Sequence, residues 1–370
     1  MGMKSKLIIA MFWMLTLAFG SSPASADAGA VYTLNNSSAG NSVLMYNRFA
    51  NGQLSLGGTF ATGGLGSGAG LGSQGALTLD ASNRFLFAVN AGSNSITVFQ
   101  VTYSGLNFIE TTGSAGQNPI SLTSFGNLLY VLNAGGGVGG VDTLAGFTVD
   151  SHGHLTNFSK NIALSASAVG PAQVSFNPEG NLLVVTEKGT NNIDIFSLNE
   201  GGTVGSMKVI ASAAETPFGF AFSKRDYLIV SDAVGGAEGA GTMSSYHLRA
   251  EGTIHTITGS SPDNQGAPCW VAITPDSRFA YTTNTASGTI SSYIVGFSGK
   301  LQLLNAAAAD LGSTSGPIDL AMGNDSRFIY VLATGTGVIR GYSITASSGS
   351  LTPLNTMTGL PVSAVGLAVR

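Results

Sequence analysis

Charge, histidine and cysteine are all scarce in this chain. Fifteen Lys and Arg face 19 Asp and Glu in 370 residues, with four His and one Cys. Setting aside Lys4 and Lys6, which lie in a leader described below, 13 basic residues oppose 19 acidic ones. That balance excludes an electrostatic nucleic-acid binder, which needs a positive face to displace counterions from phosphates. The single cysteine, Cys269, excludes an internal disulfide and reads as a buried thiol. Beyond the leader no run approaches the roughly 18 apolar residues of a membrane helix, so no membrane insertion is expected.

The opening MGMKSKLIIAMFWMLTLAFGSSPASA has a short basic start, an apolar run from Leu7 to Phe19 and the small-x-small site Ala24-Ser25-Ala26. This reads as a secretory signal peptide over residues 1–26. The remainder, 27–370, is then one exported domain, periplasmic or extracellular. Asn157-Phe158-Ser159 is a glycosylation sequon that matters only in a eukaryotic secretory route.

What the chain has in abundance is glycine, 52 residues, and a repeat. QGALTLDASNRFLFAVN (from Gln74), PISLTSFGNLLYVLN (from Pro119), PAQVSFNPEGNLLVVTE (from Pro171), PFGFAFSKRDYLIVSD (from Pro217), PCWVAITPDSRFAYTTN (from Pro268) and PIDLAMGNDSRFIYVLA (from Pro317) share one pattern. Each is an alternating run, a turn of Asn, Asp, Pro, Gly or Ser, and a second apolar run, which is a β-hairpin signal. A third strand (NNIDIFSL, SGTISSYIV) and a shorter fourth (NGQLSL, SGKLQLL) follow in most units. Four antiparallel strands at a period of about 50 residues describe a propeller blade. AVYTLNN near the start matches a second strand with no first, and AVGLAVR at the end matches a first strand with no second. Joined, they complete a seventh blade, so the expected fold is an all-β, seven-bladed propeller sealed by pairing of its terminal strands.

In such blades the loop entering the first strand and the end of the second share one face. Asn90, Asn133, Glu187, Asp232 and Asn284 are therefore expected around one mouth of the channel, with Gln173, Trp270 and Asp319 at its wall. Three glycine-rich loops, GGLGSGAGLGSQG, GGGVGG and GGAEGAG, border that face. None has the helix or GK[ST] ending of a phosphate-binding loop. The histidines fall elsewhere: His152 and His154 at an outer turn, His247 on a third strand, His255 on a fourth.

At these residues the chain resembles the lactonase-type seven-bladed propellers, the family of 6-phosphogluconolactonases and carboxymuconate cyclases. That family typically carries Gly-Pro-Arg-His, an Asn/Asp-Pro turn and a second strand ending in Asn-Glu. Here the stretch is Gly170-Pro171-Ala172-Gln173, Asn177-Pro178-Glu179-Gly180 and Thr186-Glu187. The resemblance implies a lactone or ester hydrolase with Glu187 catalytic. The family's Arg and His are replaced by Ala172 and Gln173, which removes the usual base and the group that would hold a substrate phosphate. Gln173 is left as a candidate donor to an oxyanion. Trp270, Asp319, Asn90, Asn133, Asp232 and Asn284 are candidate ligand-binding residues. Glu187 and Asp232 with nearby Asn oxygens would suit Ca2+ or another divalent cation. Three readings stand open: a lactone or ester hydrolase, metal-assisted or not; a non-catalytic propeller binding a carbohydrate, polysaccharide, peptide or protein on its glycine-rich face; and a cell-surface scaffold.

Overall fold

The computed structural model describes residues 1–2 and 29–370; all of the leader beyond residue 2 falls outside the described residues. Among the latter, seven four-stranded antiparallel sheets form the seven blades. Blade 1 is composite: Val365–Val369 supplies its inner strand, and Gly29–Leu34, Ser42–Arg48 and Leu54–Ala61 the rest. Blades 2 to 7 begin at Leu77, Pro119, Pro171, Pro217, Pro268 and Pro317 and run outward in chain order. Closure pairs Val31 with Val369 and Tyr32 with Ala368, as expected from the terminal segments. No helix among the described residues is long and apolar enough to cross a membrane.

The second strands are the core. FLFAVN, LLVVTE, FAYTTN and FIYVLA are buried at every position, because both faces of a blade are covered by its neighbours. Tyrosines on these strands also tie blade to blade. Tyr281 donates to the Gly349 carbonyl at 2.7 Å and Tyr330 to that of Gly52 at 2.7 Å, while Tyr130 reaches Gly202 in the same way. Each acceptor sits in the outer turn of the next blade. The turn must be glycine: Gly349 has φ +71, and a Cβ there would lie 2.6 Å from the Phe279 ring. Gly349→Ala is expected to cost roughly 2–4 kcal/mol from backbone strain and crowding. Urea denaturation should show this as a lower midpoint with an unchanged slope.

One expected strand is shortened. The first strand of blade 2 covers only Leu77–Leu79, and Gln74–Ala76 are not part of it. The residues before it cross the channel instead, which shapes the mouth.

Candidate functional site

The register places each entering proline opposite the end of the second strand: Pro171 pairs with Glu187, Pro217 with Asp232 and Pro268 with Asn284. Those ends therefore do share a face. Their side chains, however, turn into the blades and are spent there. Glu187 is fully buried. Its Oε2 accepts from Ser165 Oγ and Thr190 Oγ1, both at 2.5 Å, and its Oε1 from the Ser165 N–H at 3.1 Å. The same N–H donates to Asp194 Oδ2 at 3.0 Å. Burial, reinforced by the hydrogen bond to Glu187 and its charge, pushes the Asp194 carboxyl up to about 8, so near neutral pH Asp194 keeps its proton beside Glu187.

The other blades repeat this knot with neutral partners. Asn90 donates to Thr97 Oγ1 at 2.8 Å and accepts from Asn41 at 3.0 Å. Asn284 donates to Thr289 at 3.0 Å and Ser291 at 2.8 Å. Asp232 accepts from Ser244 at 2.6 Å and Thr242 at 3.3 Å, and burial raises its carboxyl to about 7. Asn133 donates to the Ser114 carbonyl at 3.3 Å. Most of these partners belong to the third strand or to the segment entering the blade, while Thr190 lies in the turn after the second strand and Asn41 comes from blade 1. The position is a polar weld between strands, which explains why a hydrogen-bonding residue recurs there.

The same geometry bears on a shared cation. The oxygens expected to face one axis are distributed among separate blades. Among the described residues no group of three or more His, Cys, Asp or Glu is placed to hold a metal. Glu187 and Asp232 do not fit a common divalent site, and no chemical step is derived through one.

Gln173 is likewise committed. Its amide donates to the Phe220 carbonyl at 3.0 Å and accepts the Phe220 N–H at 2.7 Å, completing a ladder between the inner strands of blades 4 and 5. Ala172 is wholly buried. Gln74 does the same across the channel: its amide pairs with the N–H and carbonyl of Val271 at 3.1 and 2.9 Å, while its own N–H reaches the Ala172 carbonyl at 3.0 Å. Ser73 accepts from the Trp270 indole at 2.9 Å and donates to the Ile120 carbonyl at 2.8 Å. Gly72–Gln74 thus form a strap from blade 2 to blades 3, 4 and 6, closing the mouth with Trp270 and Phe218, whose rings lie 4.9 Å apart. Trp270 is a core aromatic pinned by this strap, yet its edge also lines a shallow cavity of about 250 Å³ with Leu71, Ile318 and Val365. Asp319 lies below the strap, inside the channel.

Beside the strap a second cavity of about 310 Å³ opens on the mouth face, lined by Leu71, Asn118, Gly136, Gly137, Asp142 and Lys188 among others. Lys188 is the one cation in that lining. Alternation along the strand accounts for it: Glu187 turns inward, so the next residue turns out. Its ammonium donates to the Gly72 carbonyl at 2.5 Å and sits 4.8 Å from the centre of the Phe218 ring. Burial pulls this amine down to about 8, against the opposing influence of Cys269 and Asp142. Asp142 is itself held by the N–H groups of Val169 at 2.7 Å and Gly136 at 2.8 Å, which shape the cavity wall. Burial raises the Cys269 thiol to about 12, leaving it protonated and unreactive.

Lys188, Asp142, Asp194 and the strap are the parts that reading the sequence missed. Lys188 had a signal, as the residue following the strand-end glutamate. The strap had none beyond its glycines.

The fold is thus a seven-bladed propeller whose mouth is crossed by the strap and carries a cavity on the same face. The family model described as "Lactonase, 7-bladed beta-propeller" matches residues 23–165, 119–207 and 233–359, and the chain belongs to that family. Among solved structures, a putative 6-phosphogluconolactonase from Bacteroides fragilis is 17% identical, with TM-score 0.70, covering 94% of this chain and 100% of its own. The periplasmic gluconolactonase of Pseudomonas aeruginosa is 17% identical, with TM-score 0.70, covering 92% and 98%. A protein from Lactobacillus plantarum is 16% identical, with TM-score 0.73, covering 92% and 99%. At these identities the likeness is one of fold. No curated protein matches the chain.

Proposed function

We propose that the protein is an exported lactonase-family hydrolase that opens a small, non-phosphorylated lactone or ester in the Lys188 cavity. The observation that carries this reading is the partly buried Lys188 amine, lowered to about 8, facing a cavity of about 310 Å³ on the mouth face. A base works best when its pKa lies near the working pH. As the free amine, Lys188 takes a proton from water while the water oxygen attacks the lactone carbonyl. The ring C–O bond then breaks, and the departing alkoxide recovers the proton from the ammonium. The new carboxylic acid then passes its proton to the Lys188 amine, leaving a hydroxy acid carboxylate beside an ammonium, and the ammonium gives that proton up to solvent once the product departs. With Ala172 and Gln173 where the family has Arg and His, nothing in the cavity lining forks around a phosphate. The structurally similar Pseudomonas protein, a periplasmic gluconolactonase, supports both the unphosphorylated substrate class and export, alongside the leader at residues 1–26.

A pH–rate profile with gluconolactone tests this. Hydrolysis above the buffer rate should rise with pH through a midpoint near pH 8 and level off roughly one unit higher, following the free amine. No hydrolysis above buffer, or a flat profile through that range, would remove Lys188 from the chemistry.

A second reading rests on a different observation. Val138, Val141 and Val362 stand exposed on the mouth face, where a polysaccharide, peptide or protein could dock without any reaction. Inactivity toward every lactone, together with retained binding to such a partner, would favour it.

A further inference from the structure

Leu71 lines both the Lys188 cavity and the shallow cavity of about 250 Å³ beside Trp270. Gly72 also belongs to both: its carbonyl accepts from the Lys188 ammonium, and its backbone lines the Trp270 side. Phe218 completes the link, its ring centre 4.8 Å from Lys188 Nζ and 4.9 Å from that of Trp270. One aromatic ring thus spans the gap from amine to indole. The two cavities differ in chemistry. The first offers the Lys188 ammonium and the Asp142 carboxyl. The second offers carbon, from Leu71, Trp270, Ile318 and Val365. Leu71 and Ile318 are only partly buried, so apolar surface remains there for a guest to cover. Two side chains in that lining carry a polar atom, and both are spent. Trp270 Nε1 donates to the Ser73 carbonyl at 2.9 Å, and Ser73 Oγ to that of Ile120 at 2.8 Å. A hydroxyl entering this cavity finds no free side-chain partner, which is costly, whereas a methylene gains by leaving water.

We propose that the Trp270 cavity holds an apolar tail of the substrate, so that the lactone or ester opened beside Lys188 is one bearing a short alkyl chain. This rests on the assignment of the reaction to Lys188. With its carbonyl at the amine, such a substrate runs its chain past Gly72 and over Leu71 into the space beside Trp270. Gly72 has no side chain to crowd that path, and a Cβ there would lie 3.4 Å from the ammonium. A lactone whose chain carries hydroxyls would keep that chain in water and leave the second cavity unused.

Trp13 falls in the leader, which leaves Trp270 as the sole tryptophan from residue 27 onward. Fluorescence of the mature protein therefore reports on this cavity directly. The probe is γ-octalactam, whose amide resists hydrolysis, with γ-butyrolactam as the control without a tail. The expected result is a saturable change in Trp270 emission with γ-octalactam and none with γ-butyrolactam at the same concentration. A second measurement is kcat/KM for γ-butyrolactone, γ-hexalactone and γ-octalactone, which should rise roughly three- to fourfold for each methylene buried. Ile318→Asn, which puts an amide into the wall, should cut the octalactone-to-butyrolactone ratio by roughly tenfold. That ratio is internal to each variant, and the wild-type fluorescence stands even if the variant does not fold. The proposal is overturned if γ-octalactam binds no more tightly than γ-butyrolactam, or if kcat/KM is flat or falls as the chain grows. Hydrolysis of γ-butyrolactone with no gain from a tail would leave the Lys188 reaction standing and remove the tail site. Saturable γ-octalactam binding without hydrolysis of any lactone would uphold the tail site and remove the Lys188 reaction.

Discussion

Removal of Gly366–Arg370 is expected to abolish cooperative folding. The segment contains most of the inner strand of blade 1, and that strand packs against the inner strands of blades 2 and 7. Val365, Leu367 and Ala368 are buried. The last residue contributes through its backbone: Arg370 N–H donates to the Ala30 carbonyl at 2.9 Å, and its carbonyl accepts from Arg48 Nε at 3.1 Å. Losing the strand exposes the edge of Gly29–Leu34 and opens both flanking interfaces at once. The loss should be on the order of 5–10 kcal/mol, comparable to the whole stability of an ordinary domain. Circular dichroism and calorimetry should show no sharp unfolding transition. A synthetic peptide spanning 364–370, added in trans, should restore one, because pairing and not some distant effect is what was removed. A truncated protein that melts like the full chain would contradict the closure.

Asp194→Asn is expected to stabilise the protein at pH 8 and to do little at pH 4. In the unfolded chain this carboxyl titrates near 3.8, whereas in the fold, burial and Glu187 raise it to about 8. Between those values the native state binds a proton that the unfolded state does not, so stability falls as pH rises across the window. The cost is complete above about pH 8. Each tenfold difference in proton affinity between the folded and unfolded chain corresponds to about 1.4 kcal/mol. With relaxation allowed for, removing the carboxyl should return roughly 2–4 kcal/mol at pH 8. The amide can donate to Glu187 as the protonated acid does. Blades 2 and 6 already use hydroxyls in the corresponding place, Thr97 and Ser291. Asp232, raised to about 7 by burial, adds to the same slope, so wild type should melt higher at pH 5 than at pH 8, and the variant should show a shallower decline. An unchanged slope in Asp194→Asn would mean that the Glu187–Asp194 pair does not hold a proton in the fold.

The blades were legible in the sequence because their signals are local. Alternating first runs, continuous buried second runs such as LLVVTE and FAYTTN, the Asn, Asp and Gly turns and the unpaired terminal strands specify pairing through backbone geometry. The site was less legible because it depends on where side chains point after an irregularity. Each entering proline is followed by a register shift, between Pro171 and Gln173, Pro217 and Phe220, Pro268 and Val271, and Pro317 and Asp319. A bulge breaks the period-two rule. Gln173 therefore faces the neighbouring blade, while Asp319 folds back to accept the Leu320 N–H within the channel wall. The strand-end residues face the mouth by position but the blade interior by direction. Their recurrence as Asn, Asp or Glu reflected a structural requirement for hydrogen bonding, and the side chain that lines the mouth-face cavity is the next residue, Lys188. The Gly72–Gln74 strap lay beyond reach because its partners, Ala172 and Val271, are about 100 and 200 residues distant in sequence.

In the proposed reaction the mouth-face chemistry belongs to Lys188, and Glu187 serves the blade. Lactone hydrolysis by Lys188→Met and Glu187→Gln, measured side by side as kcat/KM on proteins of verified fold, tests it most directly. The expected result is a loss of about 100-fold or more for Lys188→Met, the scale of a lost general base, and a change within a few fold for Glu187→Gln. Abolished activity in Glu187→Gln with near wild-type activity in Lys188→Met would contradict it.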